Sequence, residues 1–196
     1  EYSCSCLLFY LGLDNRDYPG LDVHNFYFTD DFDGNIRDVF DGRYPADASV
    51  YAYAPALQDP SLAPEGQLGL YVLVPVPNLK DGMSIDWQDK KTLNDIREDV
   101  FNKLELITPL KGFRDHLIRE KVFTPADFKE SFNLMNGATF GLKPTLFQSN
   151  NWRPQAKARK IENLYFAGSS NHPGAGVPIV LTSAKIATEE IQRDHD

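Results

Sequence analysis

The segment from residue 163 to residue 191 places an apolar run, a loop of small residues and a helix in immediate succession. Asn163–Ala167 predicts a short strand, and Pro178 opens a predicted helix that runs to about Ile191. Small loop residues let the backbone approach a bulky planar ligand, and the free amides of a helix start favour an anionic or electron-rich group. The candidate cofactor-binding residues are Gly168, Ser169, His172, Pro173, Gly174, Ala175, Gly176, Val177 and Pro178.

A second interpretation of this loop is a tight strand-to-helix turn whose glycines only permit close packing. Gly174 and Gly176 do not complete a dinucleotide-binding fingerprint, because Ile179 stands where the third glycine belongs. The helix that follows is expected to place its apolar residues on one stripe, namely Val180, Ala184, Ala187 and Ile191.

Other groups of reactive residues do not complete a site. The acidic run at 30–34 fails as a calcium loop, because Thr29 would be the first ligand and Phe40 the twelfth. The four histidines lack HxxxH and HxH spacing, so no metal site is predicted. No GxSxG motif is present, and adjacent carboxylates such as Glu98 and Asp99 point in different directions on a helix. No catalytic residue is identified.

Composition and charge narrow the class of protein. A net charge of −8 and a pI near 5.0 argue against nucleic acid as a partner and against electrostatic binding of a broad surface to anionic lipid. No apolar run approaches the roughly 20 residues that span a bilayer. The two cysteines, Cys4 and Cys6, suit neither a disulfide nor a zinc site, so we expect reduced, buried thiols in a cytoplasmic protein.

The first eighty residues predict an antiparallel sheet. Cys4–Leu13 is apolar on both faces and is expected to be a central strand. The other predicted strands are Asn25–Thr29, Val50–Ala56 and Gly69–Val76, and the turn at 64–66 suggests that the last two form a hairpin. A short helix is expected at Asn35–Phe40.

Helices dominate the next part of the chain. Asp86 is the expected N-cap of a helix that ends at Pro109, with an apolar stripe at Leu93, Ile96, Val100, Leu104 and Ile107. The later predicted elements are a helix over Leu110–Leu117, a strand over Arg119–Thr124, a helix over Pro125–Phe132 capped by Thr124, and an irregular connection over 133–160. The fold class is therefore α+β, a mainly antiparallel sheet with flanking helices, followed by the terminal strand, loop and helix.

Several motifs resemble one enzyme family. Asn163–Gly168, His172–Pro178 and Thr182–Lys185 resemble the C-terminal signature of bacterial carotenoid desaturases of the phytoene type, and Gln148–Pro154 resembles the stretch before it. Tyr2–Ser5, Ser61–Gly66 and Phe123–Phe128 resemble the branch that acts on dehydrosqualene (diapophytoene). The resemblance covers nearly the whole chain.

This resemblance implies an FAD-dependent oxidoreductase of carotenoid biosynthesis that desaturates a linear polyene, dehydrosqualene or phytoene, at a membrane surface. Residues 1–145 would belong to the substrate-binding domain, and residues 146–196 would return to a Rossmann-like FAD domain. The family's N-terminal GxGxxG is absent, and Ser169 and Ser170 stand where related amine oxidases have Gly-Asp.

We therefore expect a C-terminal piece of a longer protein that lacks the N-terminal half of the FAD domain and is inactive alone. A mature chain after processing is the alternative, since the sequence starts at Glu1. A carotenoid isomerase, an amine-oxidase-like flavoprotein and a cofactor-free interaction domain are the other functions considered.

The resemblance also suggests roles for residues outside the loop. Cys6–Leu13, Tyr51 and Tyr53 would line an apolar channel for the polyene, or else form plain core. His172 would position the loop or polarise the site. Peripheral membrane contact is expected from an apolar patch at Leu110, Phe113 and Leu117.

Overall fold

Alternating apolar residues build the central element of the structure, a β-sheet. The computed structural model describes residues 1–15, 17–80 and 85–195, and these form a five-stranded antiparallel sheet in the order β2-β3-β4-β1-β5. The strands are β1 (Ser5–Leu13), β2 (His24–Tyr27), β3 (Val50–Tyr53), β4 (Leu68–Val76) and β5 (Leu117–Phe123). The predicted α+β class, the central position of β1 and the antiparallel β3–β4 pair are confirmed.

The chain divides into two compact units. Residues 5–137 form the sheet unit, and residues 1–4 with 138–196 form the loop unit. The predicted assignment of 1–145 to a substrate domain and 146–196 to an FAD domain stays a prediction, as does the Rossmann-like nature of the second.

The register of β1 and β4 gives the sheet two different faces. Leu7 lies opposite Val74, and Leu11 lies opposite Leu70, so these side chains share one face. That face is buried along the whole of β4, where burial alternates with a period of two. The other face, called here the open face, carries mostly aromatic side chains.

Helix α2 covers the buried face. The helices are α1 (Phe32–Asp41), α2 (Lys90–Leu106), α3 (Pro125–Phe132) and α4 (Val177–His195). Val100 and Leu104 of α2 are fully buried, and the Phe101 ring packs edge-on against Phe9 and Phe113 at 5.8 and 5.2 Å. The predicted stripe of α2 is thus confirmed at its centre.

Capping side chains set the helix starts. The predicted N-cap Asp86 is wrong, because the Asp89 carboxylate caps α2 by accepting a hydrogen bond from the Thr92 amide at 2.9 Å. Asp86 instead closes a turn by accepting from the Gln88 amide. The predicted Thr124 cap of α3 is confirmed, and Asp127 completes a capping box with it.

Three predicted elements differ in the structure. Leu110–Leu117 is two short 3₁₀ turns, because Gly112 takes φ 80° and interrupts a continuous helix. Asn163–Ala167 forms only an isolated bridge between Lys157 and Tyr165. Strand β3 ends at Tyr53, because Pro55 begins a 3₁₀ turn.

The buried side of α4 also differs from its predicted stripe. Ser183 and Ala187 are its buried residues, whereas Ala184 and Ile191 are exposed. The apolar residues Val177 and Leu181 are exposed as well, at 77% and 67%. Within the loop unit, this helix therefore presents an uncovered apolar side.

A buried cation joins α2 to the segment before β3. The Lys103 ammonium lies 2.6 Å from the Asp99 carboxylate and 3.6 Å from that of Asp47. The Tyr44 hydroxyl donates a hydrogen bond to Asp99 at 2.7 Å. Burial, and then this bond to an anionic acceptor, raise the pKa of Tyr44 strongly.

Two leucines on α2 test the burial of its stripe. We expect Leu104→Ala to lower the free energy of unfolding by about 2–5 kcal/mol, because it leaves a cavity in the core. The matched Leu106→Ala removes the same atoms from a side chain that is 65% exposed, and should stay within about 0.5 kcal/mol of the parent. Urea unfolding measures both, and equal losses would contradict this packing.

Alkaline pH should destabilise the sheet unit. Since the folded state raises the pKa of Tyr44, the unfolded chain, with a tyrosine pKa near 10, loses this proton first. Stability is therefore complete below about pH 10 and falls as the pH rises above it. Tyr44→Phe should flatten this fall in urea titrations at pH 9 to 11, and an unchanged slope would refute the role of Tyr44.

Candidate functional site

Residues 168–176, called here the glycine loop, contain seven of the nine predicted cofactor-binding residues and have a backbone that requires glycine; the other two, Val177 and Pro178, begin α4. Gly168, Gly174 and Gly176 have φ values of 137°, 147° and 107°, a region that other residues rarely adopt. A side chain at Gly168 would meet open space, so this stretch of backbone is accessible. The loop can therefore lie close to a ligand without an intervening Cβ.

Arg153 holds the glycine loop from one side. Its guanidinium donates to the carbonyl oxygens of Ser169 at 2.7 Å and Leu142 at 3.0 Å. The Arg153 side chain also lies 3.5 Å from the position that a Cβ on Gly174 would occupy. Arg153 is only 6% exposed, and in residues 1–15, 17–80 and 85–195 no carboxylate forms an ion pair with it. A buried positive charge thus stands beside the loop.

His172 is held by the segment that carries Arg153 and precedes the glycine loop. Its amide donates to the Pro154 carbonyl at 2.9 Å, and its ring Nδ1 lies 3.0 Å from the Asn150 carbonyl oxygen. A carbonyl oxygen only accepts, so Nδ1 carries the proton and, in the neutral ring, Nε2 is left as the acceptor. The peptide bond from His172 to Pro173 is cis. The two roles considered for His172 from the sequence, positioning the loop or polarising the site, stay predictions.

Helix α4 leaves the glycine loop with its first turn uncovered. It begins at Val177, one residue before the predicted start at Pro178, and both residues are exposed. In the described part of the chain, the amides of Val177 and Ile179 have no acceptor. The buried Asn171 Nδ2 likewise lacks a hydrogen-bond partner among the described residues. These donors can serve an anionic or electron-rich group.

All nine predicted cofactor-binding residues lie on this one continuous stretch, and their contact with a cofactor stays a prediction. Reasoning from the sequence missed Arg153 and Asn171 as parts of the site. One signal for Arg153 was available, because residues 131–161 contain no Asp or Glu. A basic side chain in such a tract has no acidic neighbour in sequence with which to form an ion pair, so it is a candidate for binding another group.

Within the described residues, no group of three His, Cys, Asp or Glu side chains is arranged to hold a metal ion. The two thiols, Cys4 and Cys6, are not joined in a disulfide, and burial raises the pKa of Cys4. The chemistry of the loop unit therefore rests on hydrogen-bond donors, one buried cation and an accessible backbone.

The open face of the sheet is a second candidate surface, and two rows of opposed side chains cross all five of its strands. The first row is His24, Tyr53, Tyr71, Tyr10 and Lys121. The second row is Phe26, Tyr51, Leu73, Leu8 and Phe123. Phe26 stacks on Tyr51 at 4.9 Å, and Tyr71 meets Tyr10 edge-on at 5.5 Å.

A cavity of about 760 Å³ opens on this face. Tyr10, Tyr53 and Tyr71 line it, and the opposed pair Gly12 and Gly69 lies among them without side chains. Burial raises the pKa of Tyr71 to about 12, consistent with apolar surroundings. Volume and lining are typical of a small-molecule site, where about 300–1,000 Å³ is usual.

The predicted channel residues divide between the two faces. Tyr10 and Gly12 of the predicted stretch Cys6–Leu13 line the cavity from the open face, while Leu7, Phe9, Leu11 and Leu13 belong to the core, and of these Leu11 also borders the cavity. Tyr53 lines the cavity, and Tyr51 lies in the adjoining row. The predicted membrane patch is wrong, because Leu110 and Phe113 are fully buried and Leu117 packs against the core.

Comparison with known proteins gives one consistent result, although no family model matches the chain. The chain is 49% identical over 194 residues, 99% of its length, to a protein from a bovine strain of Staphylococcus aureus named 4,4'-diapophytoene desaturase (4,4'-diaponeurosporene-forming). The chain is similar to the diapophytoene desaturases. The protein of the same name from strain Newman matches at the same identity.

The resemblance to carotenoid desaturases is therefore confirmed. The chain spans 39% of the length of each of these relatives. What the whole relatives do applies to this chain as a proposal. In the described residues, no helix is both long enough and apolar enough to cross a membrane.

The role of Arg153 can be tested on the loop itself. Arg153→Gln should speed amide hydrogen exchange across residues 168–176, because a hydrogen bond from a charged donor is worth about 1.5–3 kcal/mol and glutamine cannot replace both. Arg159→Gln, at an exposed position, is the matched control and should leave that exchange unchanged. Unchanged exchange in Arg153→Gln would show that the loop is held by other contacts.

Proposed function

We propose that this chain is the C-terminal part of an FAD-dependent oxidoreductase that desaturates a linear polyene, dehydrosqualene or phytoene, in carotenoid biosynthesis. The observation that carries this proposal is the 49% identity over 99% of the chain to proteins named diapophytoene desaturases. The glycine loop and the open face of the sheet support it independently, since one suits a planar cofactor and the other an apolar substrate.

The residues of the glycine loop fit a flavin. Asn171 Nδ2 is a buried donor without a partner among the described residues, and Gly168 has open space beside it. When bound, FAD would supply the acceptor for hydride removed from an allylic carbon. Gly168 and Gly176 would permit close approach, Gly174 would leave room for Arg153, and the amides of Val177 and Ile179 would face electron-rich atoms of the cofactor.

These donors contribute a modest electrostatic stabilisation, and it acts on negative charge at the glycine loop. A helix start stabilises a negative group by roughly 0.3–1 kcal/mol when exposed and up to about 2 kcal/mol when partly buried. Arg153 adds a formal positive charge beside Ser169 and Gly174. The chain would thereby favour negative charge on a reduced cofactor, while the redox chemistry belongs to the flavin.

The open face suits the hydrocarbon. A linear polyene has no hydrogen-bonding groups, so its binding depends on apolar area removed from water, at roughly 25 cal/mol per Å². The second row offers such area without a break from β2 to β5, and the three tyrosines of the first row extend it. Tyr10 and Phe26 remain 44% and 54% exposed, so part of this area is available to a ligand.

We further propose that the protein is cytoplasmic and touches the membrane surface through α1. Phe32, Ile36 and Phe40 recur on one side of this helix and are 51%, 38% and 39% exposed. Phe28 extends the patch, with its ring 6.5 Å from that of Phe32. An apolar patch of this kind is typical of contact with lipid. The uncovered side of α4 would pack against the N-terminal half of the FAD domain.

A chimera tests the proposal. When this chain replaces the matching segment of a Staphylococcus aureus diapophytoene desaturase, the purified chimera should bind FAD and convert the substrate of that enzyme into desaturated products. Isomerised products without loss of hydrogen would instead favour an isomerase, and a colourless, inactive chimera would favour a cofactor-free domain. The chain alone should be colourless and inactive, so tight flavin binding by it would contradict a missing half-site.

A charge in the glycine loop probes its contact with the flavin. In the chimera, Ala175→Asp should weaken FAD binding about tenfold or more. The new carboxylate would repel an electron-rich ligand, and it would accept the hydrogen bonds that the loop would otherwise donate to that ligand. Ala46→Asp, which adds the same charge at an exposed position of the sheet unit, is the control. Flavin fluorescence titration measures both. Equal affinities would show that the loop does not face the cofactor.

A further inference from the structure

Two cations lie at the rim of the aromatic cavity. Arg119 and Lys121 of β5 both line it, and the register places them opposite Gly12 and Tyr10 of β1, on the open face. Among residues 1–15, 17–80 and 85–195, no carboxylate forms an ion pair with either. Glu120, which lies between them in sequence, also lines the cavity, and its carboxylate accepts two hydrogen bonds from Arg97. The cavity therefore combines apolar walls with positive charge along one edge.

Desaturation of a neutral hydrocarbon gives these charges no role. A polyene would contact the tyrosine walls and would offer no anionic group to Arg119 or Lys121. Charged side chains on an edge strand also prevent pairing with other strands, and β5 is such an edge. That explanation would be met by charge anywhere on β5, whereas here the two cations of the strand that form no ion pair among the described residues both line the cavity, and the Glu120 carboxylate is hydrogen-bonded to Arg97 of α2. The Lys121 ammonium also lies 5.6 Å from the centre of the Phe123 ring, a cation–π contact.

We propose that this cavity binds a single-chain amphiphile with an anionic head, of the fatty carboxylate class. The acyl chain lies against Tyr53, Tyr71 and Tyr10, and the carboxylate accepts hydrogen bonds from Arg119 and Lys121. Gly69 leaves open space for the chain, whereas the stem of Arg119 covers Gly12, the residue opposite, at 3.1 Å from the position of a Cβ there. All these residues belong to the sheet unit, so binding requires neither flavin nor desaturase activity.

The head group is tested with three probes of equal chain length, added to the purified protein below their micelle concentrations: laurate, 1-dodecanol and dodecyltrimethylammonium. Calorimetry should show laurate binding most tightly. The double variant Arg119→Gln/Lys121→Gln should weaken laurate about tenfold, the scale of two exposed ion pairs, and leave 1-dodecanol unchanged. Arg159→Gln/Lys160→Gln removes the same charge at exposed positions of the loop unit and should have no effect.

The location is tested with Gly69→Val. A Cβ at Gly69 has no atom within 4 Å and its φ is not in the positive range, so valine fits the strand and projects its side chain into the cavity. It should abolish binding of laurate and 1-dodecanol, with Gly69→Ala intermediate and near-ultraviolet circular dichroism confirming the fold. Binding that survives Gly69→Val, or an equal loss of laurate and 1-dodecanol in the double variant, overturns the proposal.

Anionic lipid is the competing source of the same head-group chemistry. Vesicles of phosphatidylglycerol should bind equally to the parent protein and to Gly69→Val, if they bind at all. If the double variant loses vesicle binding while laurate binding by the parent is absent, the cations serve a membrane surface and the proposal fails. Failure in either form leaves the desaturase proposal standing, since that proposal is carried by the sequence identity and tested separately by the chimera.

Discussion

The pairing of β1 with β4 is the constraint on which the sheet unit depends. Nine consecutive residues of each strand are matched, from Ser5 opposite Val76 to Leu13 opposite Leu68. Because side chains alternate between faces, this register sends the aliphatic residues of β4 to the core and Tyr71 to the open face. A slip by one residue would exchange the two faces, exposing the core and burying the tyrosines. The cavity and the core are therefore products of one register.

The loop unit depends on a different kind of interaction. Its glycine loop contributes little apolar contact, so hydrogen bonds from Arg153 and to the carbonyls of Asn150 and Pro154 hold it. These bonds leave the first turn of α4 free, and they place a buried cation beside the loop without neutralising it. Such a loop is rigid where it is anchored and open where a ligand would approach, which is the arrangement that a cofactor site requires.

Local signals predicted the elements well where one interaction dominated. Alternation identified β1 and β4, and the Thr124-Pro125 pair identified the start of α3. Predictions failed where two nearby residues, or two sides of one helix, were equally suited to the same role. Asp89, not Asp86, caps α2, since two carboxylates three residues apart were each suitable and only the path of the chain decides between them. The stripe of α4 was misjudged because its apolar residues surround the helix, so periodicity alone does not select the buried side.

The sequence by itself determined the family resemblance, the α+β class, the strands of the sheet and the segment in which the glycine loop lies. These follow from local patterns and from motifs that are continuous along the chain. Only the tertiary structure decided that Arg153 meets the carbonyls of Leu142 and Ser169, and that Arg119 and Lys121 stand beside tyrosines from three other strands. The physical reason is that these contacts join residues distant in sequence, and their geometry depends on strand register and loop path.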